Sequence, residues 1–279
     1  MARLDVSTPE LESQLYGQTT FLNSLKVQIR VIKALSKRDI LSRFGREGLG
    51  FLWIILEPAM FTVGVAVLFT FFMSHEGRNS NIPVAAFALT GYSTIMLWRG
   101  MTGRLLGAVK SNKGLLYHRN VKVIDLCFSR ALIETVACGT SLVFVTFIFL
   151  SLGIISVPDD PLKAFFGFFF YAWFSFNIAC IFAYAFSVSE VVERISHVAL
   201  YLAIPLMGGF YMVSWMPDNV QQFLLMSPLV NAIELLREGF FGTNSGAQYS
   251  ISYLIEVNLP LTLLGLILLR KIKRQLIDS

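Results

Sequence analysis

Six stretches of the sequence are long and apolar enough to cross a bilayer, and they limit how the chain can fold. A membrane-spanning helix needs about 20 predominantly apolar residues. The chain has 23 Lys and Arg and 18 Asp and Glu, yet only five charged residues fall inside these stretches: Glu57, Arg99, Arg130, Glu134 and Glu256. We therefore predict an all-α polytopic membrane protein with six transmembrane helices, at residues 49–73, 83–102, 129–155, 164–186, 195–215 and 252–269.

The basic residues are distributed unevenly between the two sides of the predicted spans. Four regions hold 20 of the 23 Lys and Arg residues, namely 1–48, 99–130, 187–194 and 270–279. The loops on the other side hold three, which are Arg78, Lys163 and Arg237. Basic loops remain in the cytoplasm, so we predict a multi-pass membrane protein with both termini cytoplasmic. The net charge of +5 is explained by orientation, and we expect no nucleic-acid partner.

Two regions outside the spans have patterns of their own. In residues 24–47, apolar side chains recur at helical spacing between basic ones: Leu25, Ile29, Ile32, Leu35, Ile40 and Phe44. This predicts that residues 1–48 form a cytoplasmic tail with an amphipathic helix on the membrane surface, and that residues 49–279 form a single transmembrane domain. Residues 216–248 are apolar but broken by prolines and charges, which predicts an outer, re-entrant helical hairpin before the last span.

The sequence lacks the common motifs of catalysis and nucleotide binding. It contains no GxxxxGK(S/T) phosphate loop, no HExxH and no GxSxG, and His75, His118 and His197 are far apart. We therefore expect a transport subunit rather than an enzyme, with no bound metal or cofactor. An intramembrane enzyme and a structural scaffold remain the alternatives from other classes. The energy for transport is expected to come from another subunit.

Three sequence segments carry a resemblance to a known family. They read SRFGREGLGFLWIILEP at 42–58, NKGLLYHRNVKVIDLCFSRALIE at 112–134 and SPLVNAIELLREGFF at 227–241. In this order, the chain resembles the permease subunits of polysaccharide-exporting ABC transporters, and within that group those that export capsular polysaccharide. Exporters of O-antigen or teichoic acid are the alternative within the same superfamily.

The resemblance implies a set of partners. It implies a homodimer of this chain that assembles with two copies of an ATPase subunit. The ATPase subunits would bind ATP and Mg²⁺. The substrate would be a lipid-linked polysaccharide moved outward across the inner membrane. Periplasmic and outer-membrane export components would complete the system.

The cytoplasmic segment 103–128 is the expected contact with the ATPase. Its apolar centre lies between basic residues, and a coupling helix would place that centre in a groove of the ATPase. The alternative is an ordinary positively charged loop. The predicted coupling residues are Lys113, Gly114, Leu115, Leu116, Tyr117 and Arg119.

Arginines of the amphipathic helix are candidates for a substrate gate. Arg38, Arg43 and Arg46 offer the bidentate geometry that suits a phosphate or an acidic sugar. The alternative is that the helix only anchors the chain to anionic lipid.

Two sets of residues are candidates for the substrate conduit. Trp53, Glu57 and Phe61 share one helix face in the first span, where the alternative is a helix kinked at Pro58. Residues in the fifth span recur in steps of three and four, which predicts one helical stripe, and the alternative is dimer packing. Those residues are Tyr201, Pro205, Gly208, Met212 and Trp215. On the third span, Arg130 and Glu134 are predicted to pair along the helix.

Overall fold

The computed structural model describes residues 21–44, 50–73, 82–116 and 121–278, and within these ranges the regular structure is helical. Three 3-10 turns lie at Ile204–Met207, Val213–Trp215 and Thr243–Ser245. The α-helices of the described residues are α1 (Phe21–Phe44), α2 (Gly50–Met73), α3 (Val84–Leu106), α4 (Ala108–Ser111), α5 (Lys113–Leu116), α6 (Val123–Ser151), α7 (Pro161–Val188), α8 (Glu190–Leu202), α9 (Asp218–Leu225), α10 (Pro228–Phe241) and α11 (Ile251–Asp278).

Four helices of the described chain are long and apolar enough to cross a membrane. They contribute the segments Leu52–Phe72, Val123–Ser151, Pro161–Val188 and Ile251–Ile272, from α2, α6, α7 and α11. This confirms the predicted all-helical membrane class. The third predicted span, 129–155, begins earlier than expected, because the carboxylate of Asp125 accepts a bond from the Lys122 backbone N–H and caps α6.

Helix α3 occupies the interior of the molecule and packs against α2, α6, α7 and α10. The side chains of Thr90, Thr94 and Thr102 on α3 are buried. Each hydroxyl donates to the backbone carbonyl four residues earlier in the same helix. This satisfies the hydroxyls without partners on other helices. Because other helices pack around α3, it can carry polar side chains in its interior that a helix facing lipid could not.

The predicted fifth span, 195–215, is not one continuous helix. Helix α8 ends at Leu202, and the chain continues through a 3-10 turn to Gly208, which has φ of +80°. Pro205 lacks the N–H that a continuing helix would require, and the left-handed conformation at Gly208 turns the chain. The prediction of an unbroken helix is therefore wrong at this place.

The segment predicted as a helical hairpin, 216–248, contains α9 and α10. Helix α10 packs closely along α7, because a Cβ atom at Gly167 or at Gly239 would overlap the backbone of the facing helix. Nearly all of α10 is buried, including Ile233 and Leu236. It is an interior helix rather than a surface helix.

A polar contact joins α7 and α11 in the middle of their lengths. The Asn177 amide donates to the side chain of Asn258 at 3.0 Å, and Thr262 donates to Asn177 at 3.1 Å. Trp173 donates its indole N–H to Thr262 at 2.9 Å. Such contacts hold helices together in an apolar surrounding, where the hydrophobic effect gives little attraction between helices.

Candidate functional site

A polar corner is formed where α1, the end of α3, α4 and the start of α6 meet. The guanidinium of Arg130 on α6 joins the other three elements. It donates to the carboxylate of Asp39 on α1 at 3.1 Å, to the carbonyl of Arg104 on α3 at 2.6 Å and to the hydroxyl of Ser111 on α4 at 3.2 Å. One side chain therefore fixes the relative positions of four helices.

Further bonds surround Arg130 in this corner. Arg104 forms a salt bridge with the buried Glu134 at 2.8 Å. The Gln28 amide of α1 donates to Asp125 at 2.7 Å, and Arg38 donates to Asn112 at 2.5 Å. The prediction that Arg130 and Glu134 pair along α6 is wrong, because each has its salt bridge to a residue of another helix.

The predicted coupling segment, 103–128, is largely helical. Its first residues belong to α3 and its last six to α6, with α4 and α5 between them. Gly114 is exposed, whereas Leu115 and Leu116 are half-buried against the protein's own core. Lys113 begins α5, but its side chain lies outside the described residues, as do Tyr117 and Arg119.

The predicted gate residues lie at the end of α1. Arg38 is half-buried, contacts Asn112 as described above and lies 3.6 Å from Asp39. The Arg43 side chain and the whole of Arg46 lie outside the described residues. Helix α1 packs against α6 through the buried Leu35, and leaves Leu25 and Leu41 exposed.

The two sets of predicted conduit residues have different surroundings. On α2, Trp53 and Glu57 are half-buried and Phe61 is exposed. The second set does not form a helical stripe, since the helix ends at Leu202. Tyr201 is 59% exposed at the end of α8, Met212 is fully buried, and Trp215 packs on Phe87 with ring centroids 4.9 Å apart.

Sequence reasoning missed a buried arginine that organises the broken segment. Arg237 on α10 is fully buried and donates to the carbonyls of Gly208, Gly209 and Tyr211, at 2.8, 2.9 and 2.5 Å. Its guanidinium carbon also lies 4.3 Å from the centre of the Phe87 ring. The bonds satisfy carbonyls that the interruption of the helix leaves without intrahelical partners. The sequence signal for this cluster was the set of charged residues in ELLRE, residues 234–238, within an otherwise apolar stretch.

Glu234 completes this buried cluster one turn before Arg237. Its carboxylate lies 3.8 Å from Arg237 and accepts from the backbone N–H groups of Val213 and Gln248, both at 3.2 Å. Burial raises the pKa of Glu234, while the charge of Arg237 and the two N–H bonds act in the opposite direction. The pair fixes the segment before α9 and the segment after α10 to α10 itself.

Comparison with known proteins identifies the family of the chain. No family model matches it. The capsule polysaccharide export inner-membrane protein BexB of Haemophilus influenzae is 32% identical over 260 residues, which are 93% of this chain and 97% of BexB. The protein of the same description in Neisseria meningitidis, CtrC, is 34% identical over 249 residues, 89% of this chain and 93% of CtrC. The chain belongs to the capsule polysaccharide export inner-membrane proteins.

A more distant relative extends the same family. The polysialic acid transport protein KpsM of Escherichia coli is 26% identical over 257 residues, 92% of this chain and 99% of KpsM. The match over nearly the whole length confirms the family expected from the three sequence segments. As a member of this family with four helices that can span a bilayer, the chain is an inner-membrane protein.

Proposed function

We propose that the chain is the permease subunit of an ABC transporter that exports lipid-linked capsular polysaccharide across the inner membrane. The observation that carries this proposal is the near full-length similarity to proteins named for capsule polysaccharide export. Those names favour capsular polysaccharide over O-antigen or teichoic acid as the substrate. Periplasmic and outer-membrane components would receive the polymer.

The energy for export would come from a separate ATPase subunit that binds ATP and Mg²⁺. The sequence has no phosphate loop of its own, and α5, which follows α4 of the polar corner, offers an exposed contact point at Gly114. We expect a homodimer of this chain with two ATPase copies, and no catalytic role for the chain itself.

The course of the chain supports six membrane crossings. Arg104, at the end of α3, lies in the polar corner, whereas Gly91 near its start lies against Gly209. Helix α8 starts directly after α7, and α7 packs against α4 of the corner, so residues 190–209 would run from the corner toward Gly91. At 1.5 Å per residue in an α-helix and about 2.0 Å in a 3-10 turn, α8 and the following turn span about 28 Å. This matches the hydrocarbon thickness of about 30 Å, so the broken segment would serve as the fifth crossing.

The proposed orientation places the polar corner in the cytoplasm and α9 and α10 toward the outside. The gate arginines Arg38, Arg43 and Arg46 would then bind an anionic head group at the inner surface. The aromatic residues Trp53, Tyr201 and Trp215 would guide the sugar chain.

The test of the proposed function is genetic complementation with a biochemical control. Cells that lack the chain should keep the polysaccharide inside, and the cloned chain should restore it at the surface. The purified chain should copurify with an ATPase whose vanadate-sensitive activity requires both subunits. Surface polysaccharide that is unchanged in the deletion strain would contradict the proposal.

The orientation is tested by thiol labelling of intact cells. Cys127, Cys138 and Cys180 are buried and would first be replaced by Ala. A cysteine at the exposed Val157, in the α6–α7 loop, should react with an impermeant reagent, and a cysteine at the exposed Ser111 should react only after permeabilisation. The reverse pattern would invert the proposed topology.

A further inference from the structure

A second polar feature lies at the opposite end of the molecule from the polar corner. Helix α6 runs 29 residues from the corner to Ser151, which corresponds to about 43 Å. At this far end, the backbone N–H of Asp160 donates to the carbonyl of Gly239, and Lys163 pairs with Glu238 at 2.8 Å. The loop before α7 is thereby joined to the end of α10, and the connection from α10 to α11 begins here.

An open cleft of about 460 Å³ lies in this region, between α9, α10 and the start of α11. The residues that matter in its lining are Tyr249, Tyr253, Asn231, Gln248 and Ser250. They provide two phenol rings with their hydroxyls, two amides and the hydroxyl of Ser250, and none of these side chains carries a charge at neutral pH. The cleft is therefore suited to an uncharged ligand surface with many hydroxyl groups.

The wall of the cleft is held in place by α10. The side-chain amide oxygen of Asn231 accepts from the backbone N–H of Ser250 at 2.9 Å, and the Glu234 carboxylate accepts from that of Gln248 at 3.2 Å. The Tyr253 hydroxyl donates to the carbonyl of Met226 at 2.5 Å. These bonds fix the backbone of 248–250 and orient one ring before any ligand arrives, which lowers the entropic cost of binding.

Polar groups that could contact a ligand remain at the mouth of the cleft. Gln248 is exposed and its amide N–H donates to the side-chain oxygen of Gln221 at 2.8 Å. The Gln221 amide nitrogen donates one N–H to the Met216 carbonyl at 2.7 Å and keeps a second N–H, and the Gln248 side-chain oxygen can still accept. Ser250 is exposed beside them, with its hydroxyl 3.0 Å from that of Ser252.

The two tyrosines have a simpler explanation that the structure argues against. Tyrosines often lie at the membrane interface with the hydroxyl toward water. Here the Tyr253 hydroxyl is bonded to a backbone carbonyl, the Tyr249 hydroxyl faces Glu238, and the Tyr249 ring packs against the core. An interface anchor does not require a concave site whose backbone is fixed by the side chains of another helix.

We propose that this cleft is a saccharide-binding subsite at the exit side of the permease. The apolar C–H face of a sugar ring would pack on Tyr249 or Tyr253, and its hydroxyls would exchange hydrogen bonds with Gln248 and Ser250. The subsite holds one part of the emerging polymer weakly, so that it resists backward movement but does not stall export. This inference rests on the proposed function, because it takes the exported polymer as its ligand.

The test uses a photocrosslinking amino acid, p-benzoylphenylalanine, at Gln248 of the full chain in cells that synthesise the polymer and express the ATPase. Illumination should attach polysaccharide to the chain, detected with antiserum against the capsule. The matched control carries the same amino acid at Phe72, which is 74% exposed on α2. We expect an adduct at position 248 that is absent at position 72 and absent in cells that cannot make the polymer.

Substitutions at Tyr249 separate ring stacking from other contacts. Tyr249→Ala should lower the adduct yield at position 248 about fivefold, equivalent to about 1 kcal/mol, whereas Tyr249→Phe should retain it. Equal loss in both variants would overturn the stacking role. Equal adducts at positions 248 and 72, or an adduct that persists without polymer synthesis, would show a nonspecific or lipid contact and overturn the subsite.

The failure of this inference can be told apart from the failure of the proposed function. If cells without the chain still export polysaccharide, the proposed function fails. If export requires the chain but no polymer adduct forms at Gln248, the subsite alone is rejected.

Discussion

Arg130 and Arg237 both join several segments of the chain, but they do so in opposite surroundings. Arg130 lies in the polar corner, where its side chain is 12% exposed and its salt-bridge partner Asp39 comes from α1. Arg237 is fully buried, and it donates mainly to backbone carbonyls of the broken segment. Arg237 has no exposed surface, and a fully buried charge that loses its partners is strongly destabilising. Arg130 keeps a small exposed fraction, so water can partly solvate its guanidinium when a partner is lost.

The difference suggests different uses for the two clusters. The contacts of the corner join separate helices through individual side chains that reach the surface, so they can break and reform when α1 moves. The contacts of Arg237 replace the missing hydrogen bonds of an interrupted helix, so they are required for the fold in every state. We therefore expect the corner to affect transport and the buried cluster to affect folding.

The largest expected effect is that of removing the buried arginine. Arg237→Met should lower the free energy of unfolding by about 3–5 kcal/mol, because it leaves three carbonyls and the Glu234 carboxylate without their partner. Thermal unfolding of the detergent-solubilised chain would measure this. Arg194 is exposed on α8, so Arg194→Met is the matched control and should change stability little.

A second substitution sharpens the interpretation of Arg237. If an uncompensated carboxylate causes part of the loss, adding Glu234→Gln to Arg237→Met should recover some stability. Equal stability of Arg237→Met and Arg194→Met would show that the buried cluster is not required for the fold, and its contrast with the polar corner would then fail.

The next effect concerns the predicted coupling residues. Leu115 packs against Leu35 and Leu126, so Leu115→Asp should destabilise the chain itself by about 1–3 kcal/mol through burial of a charge. Gly114→Asp, at an exposed neighbour, should leave the chain stable and weaken its copurification with the ATPase. Normal assembly and export by Gly114→Asp would show that this face of α5 does not contact the ATPase.

A smaller effect is expected at the joint between α1 and α6. Asp39→Asn should cost about 1–2 kcal/mol, because the largely buried pair loses its charge-assisted bond while Arg130 keeps its bonds to Arg104 and Ser111. Export should nevertheless slow, since α1 would no longer follow movement of α6. The comparison variant is Arg38→Gln, which changes the neighbouring contact to Asn112. A large loss of stability in Asp39→Asn would mean that the corner is structural, like the buried cluster.

The contrast between the clusters also shows what the sequence could predict. The long apolar helices and the family follow from composition and from the three segments, because both are properties of contiguous residues. The partners of Arg130 come from α1, α3 and α4, up to 91 residues away, and spacing along one helix favoured Glu134 instead. Contacts between helices therefore determine which residue Arg130 binds, and spacing along α6 does not.

The broken segment was missed for a related reason. Residues 195–215 are predominantly apolar and contain no Asp, Glu, Lys or Arg, so by hydropathy they resemble the other predicted spans. The interruption at Pro205 and Gly208 is stable only because Arg237, 29 residues away from Gly208, binds the freed carbonyls. A reading of local hydropathy cannot detect a compensation of this kind, although the charge in an apolar helix could have suggested it.

The smallest effect on stability is expected at Tyr201, where the conduit and dimer-packing interpretations give different results. Its side chain is 59% exposed at the end of α8, so Tyr201→Ala should change the stability of the isolated chain by less than about 0.5 kcal/mol. If Tyr201 guides the sugar chain, export should slow while ATP hydrolysis and the detergent-resistant dimer persist. If it packs between two copies of the chain, the dimer should weaken in proportion to the loss of export. Phe72→Ala removes an exposed aromatic residue of α2 that belongs to neither set of conduit candidates, and it provides the comparison. Parallel measurement of dimer and export for both variants decides which interpretation holds.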